Sequence, residues 1–173
     1  ELKKGFQDGK YEELLRDIYI DESVLDYQKE RYIKAIESFE ELFGEKEVEI
    51  YSAPGRSEIG GNHTDHQNGK VLAASVNLDI IAVVRPVNSK ESVSEEGSLS
   101  GHSGVNAGII RIVSDDYPMI QVSLSDTDIN KEEYSTTKAL VKGVTAGFKK
   151  KGFKTGAFDA FITSDVPMGA GLS

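Results

Sequence analysis

The sequence predicts an α+β fold. Helical periodicity opens the chain, about five strand-like runs follow it, and one strongly signalled helix stands between the last two of them. At 173 residues the chain suits a single domain, 1–173, with a core that buries roughly two thirds of the unfolded surface. The strands point to a mixed sheet with packed helices.

Taken in order, Tyr11, Leu14, Leu15 and Ile18 recur at helical spacing in KYEELLRDIYI, which predicts a first helix. Asp21 is a plausible N-cap for a longer second helix, with Leu25, Tyr32, Ile36, Phe39 and Phe43 along one stripe and Gly44 at its end. Its other face carries Lys29, Glu30, Arg31, Glu37, Glu40 and Glu41, which reads as solvated surface. From Glu47 the period changes to two, Val48 and Ile50 alternating with Glu47, Glu49 and Tyr51, so a short half-buried strand is expected there. Further strands are expected at 71–76, at 78–87 (LDIIAVVRPV), at 109–113 and at 120–124, the last two joined by a turn through Asp115, Asp116, Tyr117 and Pro118.

Between the first two strands lies the most polar segment, residues 53–69, APGRSEIGGNHTDHQNG. It reads as a loop with little to bury. Gly55, Gly60 and Gly61 permit tight turns and close approach of a ligand to the main chain. Arg56, Asn62, His63 and Asp65 supply donors and acceptors for a polyhydroxyl substrate or an anion. Plainer roles exist for the same side chains: Arg56 pairing with Glu58 or a helix C-terminus, and Thr64 capping a short turn. His63 and His66 stand at i, i+3 with Asp65 between them, but no third ligand is evident nearby, so no metal site is assigned. Residues 88–108 (NSKESVSEEGSLSGHSGVNAG) are Ser- and Gly-rich and without period, and read as a flexible insertion. His102 within it has no partner at ligand spacing.

Ser135, Thr136 and Thr137 offer N-caps for the next helix, Leu140, Val144 and Phe148 form its apolar stripe, and Lys149 to Lys151 complement the negative end of its dipole before Gly152. A strand at 157–163 leads into the closing segment 167–173, PMGAGLS. A glycine-rich loop after a strand bares successive backbone N–H groups, which can hold phosphate. It lacks the Lys-Ser/Thr of a Walker A loop.

Composition narrows the function classes. Asp plus Glu number 29 against 20 Lys plus Arg, for a formal charge of −9, which disfavours nucleic acid as a partner. No run of eighteen or more apolar residues would span a membrane. Zero cysteines exclude disulfides and thiolate metal sites and agree with a cytoplasmic location.

Gly55-Arg56 and His63-Thr64-Asp65 resemble the signature of galactokinases, sugar kinases of the GHMP superfamily, in which Gly-Arg is followed by Glu-His-Thr-Asp. Asn62 stands where that family usually has glutamate, and His66 where tyrosine is common. The closing loop is similar to the opening of the GHMP phosphate motif, Pro-x-Gly-x-Gly-Leu-Ser-Ser, and the two motifs stand in family order. The resemblance implies the GHMP-kinase N-terminal domain, a fold like domain 2 of ribosomal protein S5. It also implies ATP and Mg²⁺ as cofactors, and phosphorylation of galactose or a close aldohexose at its anomeric hydroxyl in the complete protein. Arg56 would then stabilise the transition state, Asn62, His63 and Asp65 would hold sugar hydroxyls, and Gly169, Ala170, Gly171, Leu172 and Ser173 would wrap the ATP phosphates. The family's catalytic base and magnesium ligand lie beyond this stretch, so a molecule of these residues alone is expected to be inactive and to self-associate through its open face. Two alternatives accompany that reading: a non-catalytic galactose- and ATP-binding sensor that regulates a protein partner, and a GHMP kinase for a related sugar such as galacturonate.

Overall fold

A computed structural model describes residues 1–61, 64–87, 108–115 and 117–172, with the backbone alone at Asp65. The elements are α1 (Leu2–Gln7), α2 (Glu12–Tyr19), α3 (Leu25–Phe43), β1 (Glu49–Gly60), β2 (Leu72–Val87), β3 (Ile109–Ser114), β4 (Ile120–Ser123), α4 (Thr137–Lys150) and β5 (Ala157–Ser164). The strands form a five-stranded sheet in the order β1-β2-β5-β3-β4. An α+β architecture was expected, and this is one. Among the described residues no helix is long and apolar enough to cross a membrane.

The chain divides into two compact units, the first made of Glu1–Glu45, Ile50–Val83 and Ile162–Ser173, the second of Lys46–Glu49 and Val84–Phe161. In the first, Phe6, Leu15, Tyr19, Tyr32, Ala35, Ile36, Phe39, Ile81 and Val83 are buried together. Aromatic contacts knit the helices: the Phe6 ring lies 4.7 Å from Tyr11 and 5.1 Å from Tyr32, and Tyr19 meets Tyr32 edge-on at 6.4 Å. Asp21 caps a single 3-10 turn, Glu22–Val24, accepting the Ser23 N–H at 2.9 Å, and α3 starts directly after that turn. Gly44, at φ +78°, ends α3. Helix α1 was not anticipated, because two apolar residues in six make no readable period.

The second unit buries Ile110, Ile112, Val113, Val122, Ala157, Ala160 and Phe161. Here β3 and β4 form an antiparallel hairpin with Ile110 opposite Val122. Asp159 is fully buried on β5, and Arg111 on β3 donates to it twice, Nε at 2.6 Å and Nη2 at 2.8 Å. A carboxylate stripped of water needs such a partner.

Three expectations are corrected. Strand β1 does not stop at Tyr51 but runs on to Gly60, so the first half of the polar segment is strand and not loop. Its place at the sheet edge tolerates Pro54, which has no N–H to give. The two strands expected at 71–76 and 78–87 are one, β2. On α4 the apolar stripe is outside, with Leu140, Val144 and Phe148 67%, 53% and 51% exposed, while Lys142 and Thr145 are buried. The lysine is taken inward by Asp126 and Glu133, each 3.0 Å from its Nζ. Thr136 caps this helix by accepting the Ala139 N–H at 3.2 Å, and Lys149 donates to the Leu124 carbonyl. Apart from Gly108, the insertion expected at 88–108 and its His102 lie outside the described residues, as does Asp116 of the expected turn.

Candidate functional site

Strand β1 carries Gly55 and Arg56 past the end of the chain. The Arg56 N–H donates to the Leu172 carbonyl at 3.0 Å, so the polar segment and the glycine loop, more than a hundred residues apart in sequence, touch through their backbones. Gly55 is what permits the contact. It is buried, and a Cβ there would stand 2.9 Å from the Leu172 oxygen and 3.2 Å from the Leu78 oxygen. Main chain cannot yield as a side chain would, so only glycine fits. Arg56 itself is exposed.

Past β1 the chain turns sharply. Thr64 N–H donates to the Gly61 carbonyl at 3.2 Å, and Gly69 N–H to the Thr64 carbonyl at 2.8 Å, closing a 3-10 turn over Thr64–Gln67. That turn contains the Asp65 backbone and the exposed His66. Asn62 and His63 lie outside the described residues, and so does Ser173.

In the closing loop Gly169 and Gly171 adopt φ +75° and +70°, with open space where a Cβ would be. Ala170 N–H donates to the Pro167 carbonyl at 3.3 Å. Alternating left-handed residues turn neighbouring N–H groups toward one side, and such a concavity suits phosphate oxygens. The loop therefore fits a nucleotide phosphate in backbone shape. Among the described residues no group of three His, Asp or Glu is gathered to hold a metal ion.

Beneath both segments lies a buried polar cluster. Arg31, expected on the solvated face of α3, is only 6% exposed. Its Nη1 donates to Asp79 Oδ1 at 2.6 Å, and its Nη2 to the Asp79 carbonyl at 2.9 Å and the Thr163 carbonyl at 3.2 Å. Nη1 also lies 3.1 Å from Asp165 Oδ2. The second Asp79 oxygen accepts from Tyr19 Oη at 2.8 Å and Ser52 Oγ at 2.5 Å. Burial pulls the Arg31 pKa down, but the hydrogen bond and charge of Asp79, with Asp165 behind it, outweigh that and hold it above its ordinary value. Burial, with its bonds to Tyr32 and Asp79, pushes the Tyr19 hydroxyl well up, so it stays a neutral donor. A signal for this cluster was present in the sequence. Asp79 is a lone carboxylate inside the apolar run LDIIAVV, and a charge in a buried strand demands a cation from elsewhere in the fold.

Comparisons with known proteins show what this chain is similar to. Residues 37–86 match the family model of the galactokinase galactose-binding signature, a range that takes in the end of α3, all of β1 and nearly all of β2. The crystal structure of Lactococcus lactis galactokinase complexed with galactose matches with a TM-score of 0.65 at 25% identity, over 83% of this chain and 33% of that one. The fold is thus α+β, like that of the GHMP-kinase N-terminal domain. In sequence the chain is similar to galactokinases. It is 28% identical over 140 residues to the galactokinase of Lactococcus lactis subsp. lactis strain IL1403, covering 79% of this chain and 31% of the relative. With the galactokinase of Bacillus subtilis strain 168 the identity is 29% over 140 residues, 78% of this chain and 31% of that one. The chain spans about a third of the length of the relatives it matches.

Proposed function

We propose that this chain supplies the sugar-holding segment and a phosphate-cradling loop of a cytoplasmic galactokinase. The complete protein transfers a phosphoryl group from ATP to the anomeric hydroxyl of galactose, giving sugar 1-phosphate and ADP. The observation that carries the reading is the 3.0 Å bond from Arg56 N–H to the Leu172 carbonyl, which joins the sugar motif to the phosphate motif at one point. Phosphoryl transfer asks a protein for positioning and charge stabilisation more than for covalent chemistry. Arg56 stands beside the loop, where a guanidinium can meet the charge that develops on the transferred group. Asn62, His63 and Asp65 hold sugar hydroxyls in this reading, and Gly169, Gly171, Leu172 and Ser173 present N–H groups to the phosphates, with Ala170 held in the loop by its bond to the Pro167 carbonyl. When bound, ATP would supply the phosphoryl group and Mg²⁺ would supply charge neutralisation.

Asn62 favours a second substrate. An amide in place of the usual glutamate keeps an acceptor, adds a donor and removes a negative charge, so a sugar with an anionic C6 group is no longer repelled. One experiment tests both readings: ADP release by the complete protein, followed across hexoses and galacturonate. We expect turnover with galactose and measurable turnover with galacturonate, and we expect Asn62→Glu to abolish the second while sparing the first. Binding of galactose and ATP without ADP release would make the protein a sensor instead. No galacturonate turnover by the natural protein would remove the second reading.

A further inference from the structure

We propose that Asp165, held by the Arg31 cluster, is a positioning residue that fixes the root of the glycine loop against strand β1. The loop hangs between two points. Its tip is the Leu172 carbonyl on the Arg56 N–H, and its root is Asp165, two residues before Pro167. Between them, two glycines in left-handed backbone have open space around them, and Met168 is 88% exposed.

The root is held densely. Asp165 Oδ1 accepts from Tyr27 Oη at 2.8 Å, and Oδ2 from Gln28 Nε2 at 3.0 Å with Arg31 Nη1 at 3.1 Å. The Asp165 N–H donates to the Asp79 carbonyl at 2.9 Å. The Asp79 carboxylate reaches Ser52, three residues before Gly55 on β1. One guanidinium thus fixes the strand that carries Arg56 and the turn that launches the loop. A buried charge cluster is a poor way to gain stability, since apolar residues of similar volume do as well or better. Its two outputs, however, lead to the two segments that the sugar and the phosphates would share.

The consequence for turnover rests on the galactokinase reading above, whereas the positioning itself does not, so two readouts are used on the complete protein. In Asp165→Ala the Asp165 backbone bond and the Arg31–Asp79 pair remain. We expect amide exchange at Arg56 and across 166–172 to rise at least about tenfold, the size of one charge-assisted hydrogen bond, with the amides of α3 unchanged. In turnover, KM for ATP should rise by about the same factor while KM for galactose holds, with Asp165→Asn falling between the two proteins. Tyr27→Phe, which removes one exposed hydroxyl, should move both readouts the same way by less, and it serves if Asp165→Ala does not fold. Unchanged exchange in the loop, exchange raised equally throughout α3, or an equal rise in both KM values would overturn the proposal. A natural protein that turns over no sugar would overturn the galactokinase reading alone, and the exchange data would still decide the role of Asp165.

Discussion

Gly55 sits between the Leu172 and Leu78 carbonyls with room for a hydrogen and nothing larger. Adding a methyl forces main chain apart, at a cost of about 1–3 kcal/mol for overpacking. We expect Gly55→Ala to lower the urea midpoint accordingly and to release the Arg56 amide to exchange. A stable variant that keeps the amide protected would show that the strand and loop can part without loss. At this scale the sequence was informative about Gly55, since a glycine beside a candidate ligand-binding arginine suggests close approach. It was misleading about Arg31, whose charged neighbours Lys29 and Glu30 made one face of α3 look uniformly wet. No local pattern separates a charged residue that points outward from one that meets a carboxylate 48 residues away.

Among the elements, α4 shows how far electrostatics can rotate a helix from its apolar reading. Leu140, Val144 and Phe148 promise a core face, yet Lys142 is the residue taken inside, bridging Asp126 and Glu133. Hydrogen bonds from Lys138 and then Lys142 hold the Glu133 carboxyl below its ordinary 4.5. A carboxyl whose pKa is lowered by folding contributes stability that is full above its unfolded value and lost as pH falls through its folded one. Donating hydrogen bonds to Glu133 and Asp126 raises the Lys142 pKa, so its share is full below about 10.5, its unfolded value, and lost as pH rises through the folded one. We expect thermal stability to fall on acidification from about pH 5 to pH 3, and Glu133→Gln to flatten that slope. An unchanged slope in the variant would mean that the cluster does not hold the helix. The strands β1 and β2 were legible as strands but not in extent. The polarity of 53–60 hid an edge strand, whose one exposed side needs no apolar alternation, and the expected strands at 71–76 and 78–87 left out Asn77, which β2 runs through.

In the first unit as a whole, α2, α3 and β1 converge on the carboxylate of Asp79 on β2, and the turn after β5 bonds to its backbone carbonyl. Removing one side of a buried ion pair leaves the other charge without a partner and costs about 3–5 kcal/mol. We therefore expect Arg31→Met and Asp79→Leu each to destabilise the complete protein by roughly that amount. The double variant should recover most of the loss, as denaturant unfolding would report. Additive losses in the double variant would mean that the two residues do not act as a pair.

From its residues alone the sequence determined the α+β class, most of the helices and strands, and the presence of two motifs in galactokinase order. Each of these depends on spacing within a few residues or on local chemistry. It also singled out residues 53–69 as a candidate ligand-binding stretch, because a segment so polar has little to bury. Only the tertiary structure decided that the two motifs meet at Arg56 and Leu172, that Arg31 lies inside, and that α4 turns its lysine inward. Such outcomes depend on which distant partner satisfies a charge or a backbone group, and that partner is chosen when the elements pack, not when they form.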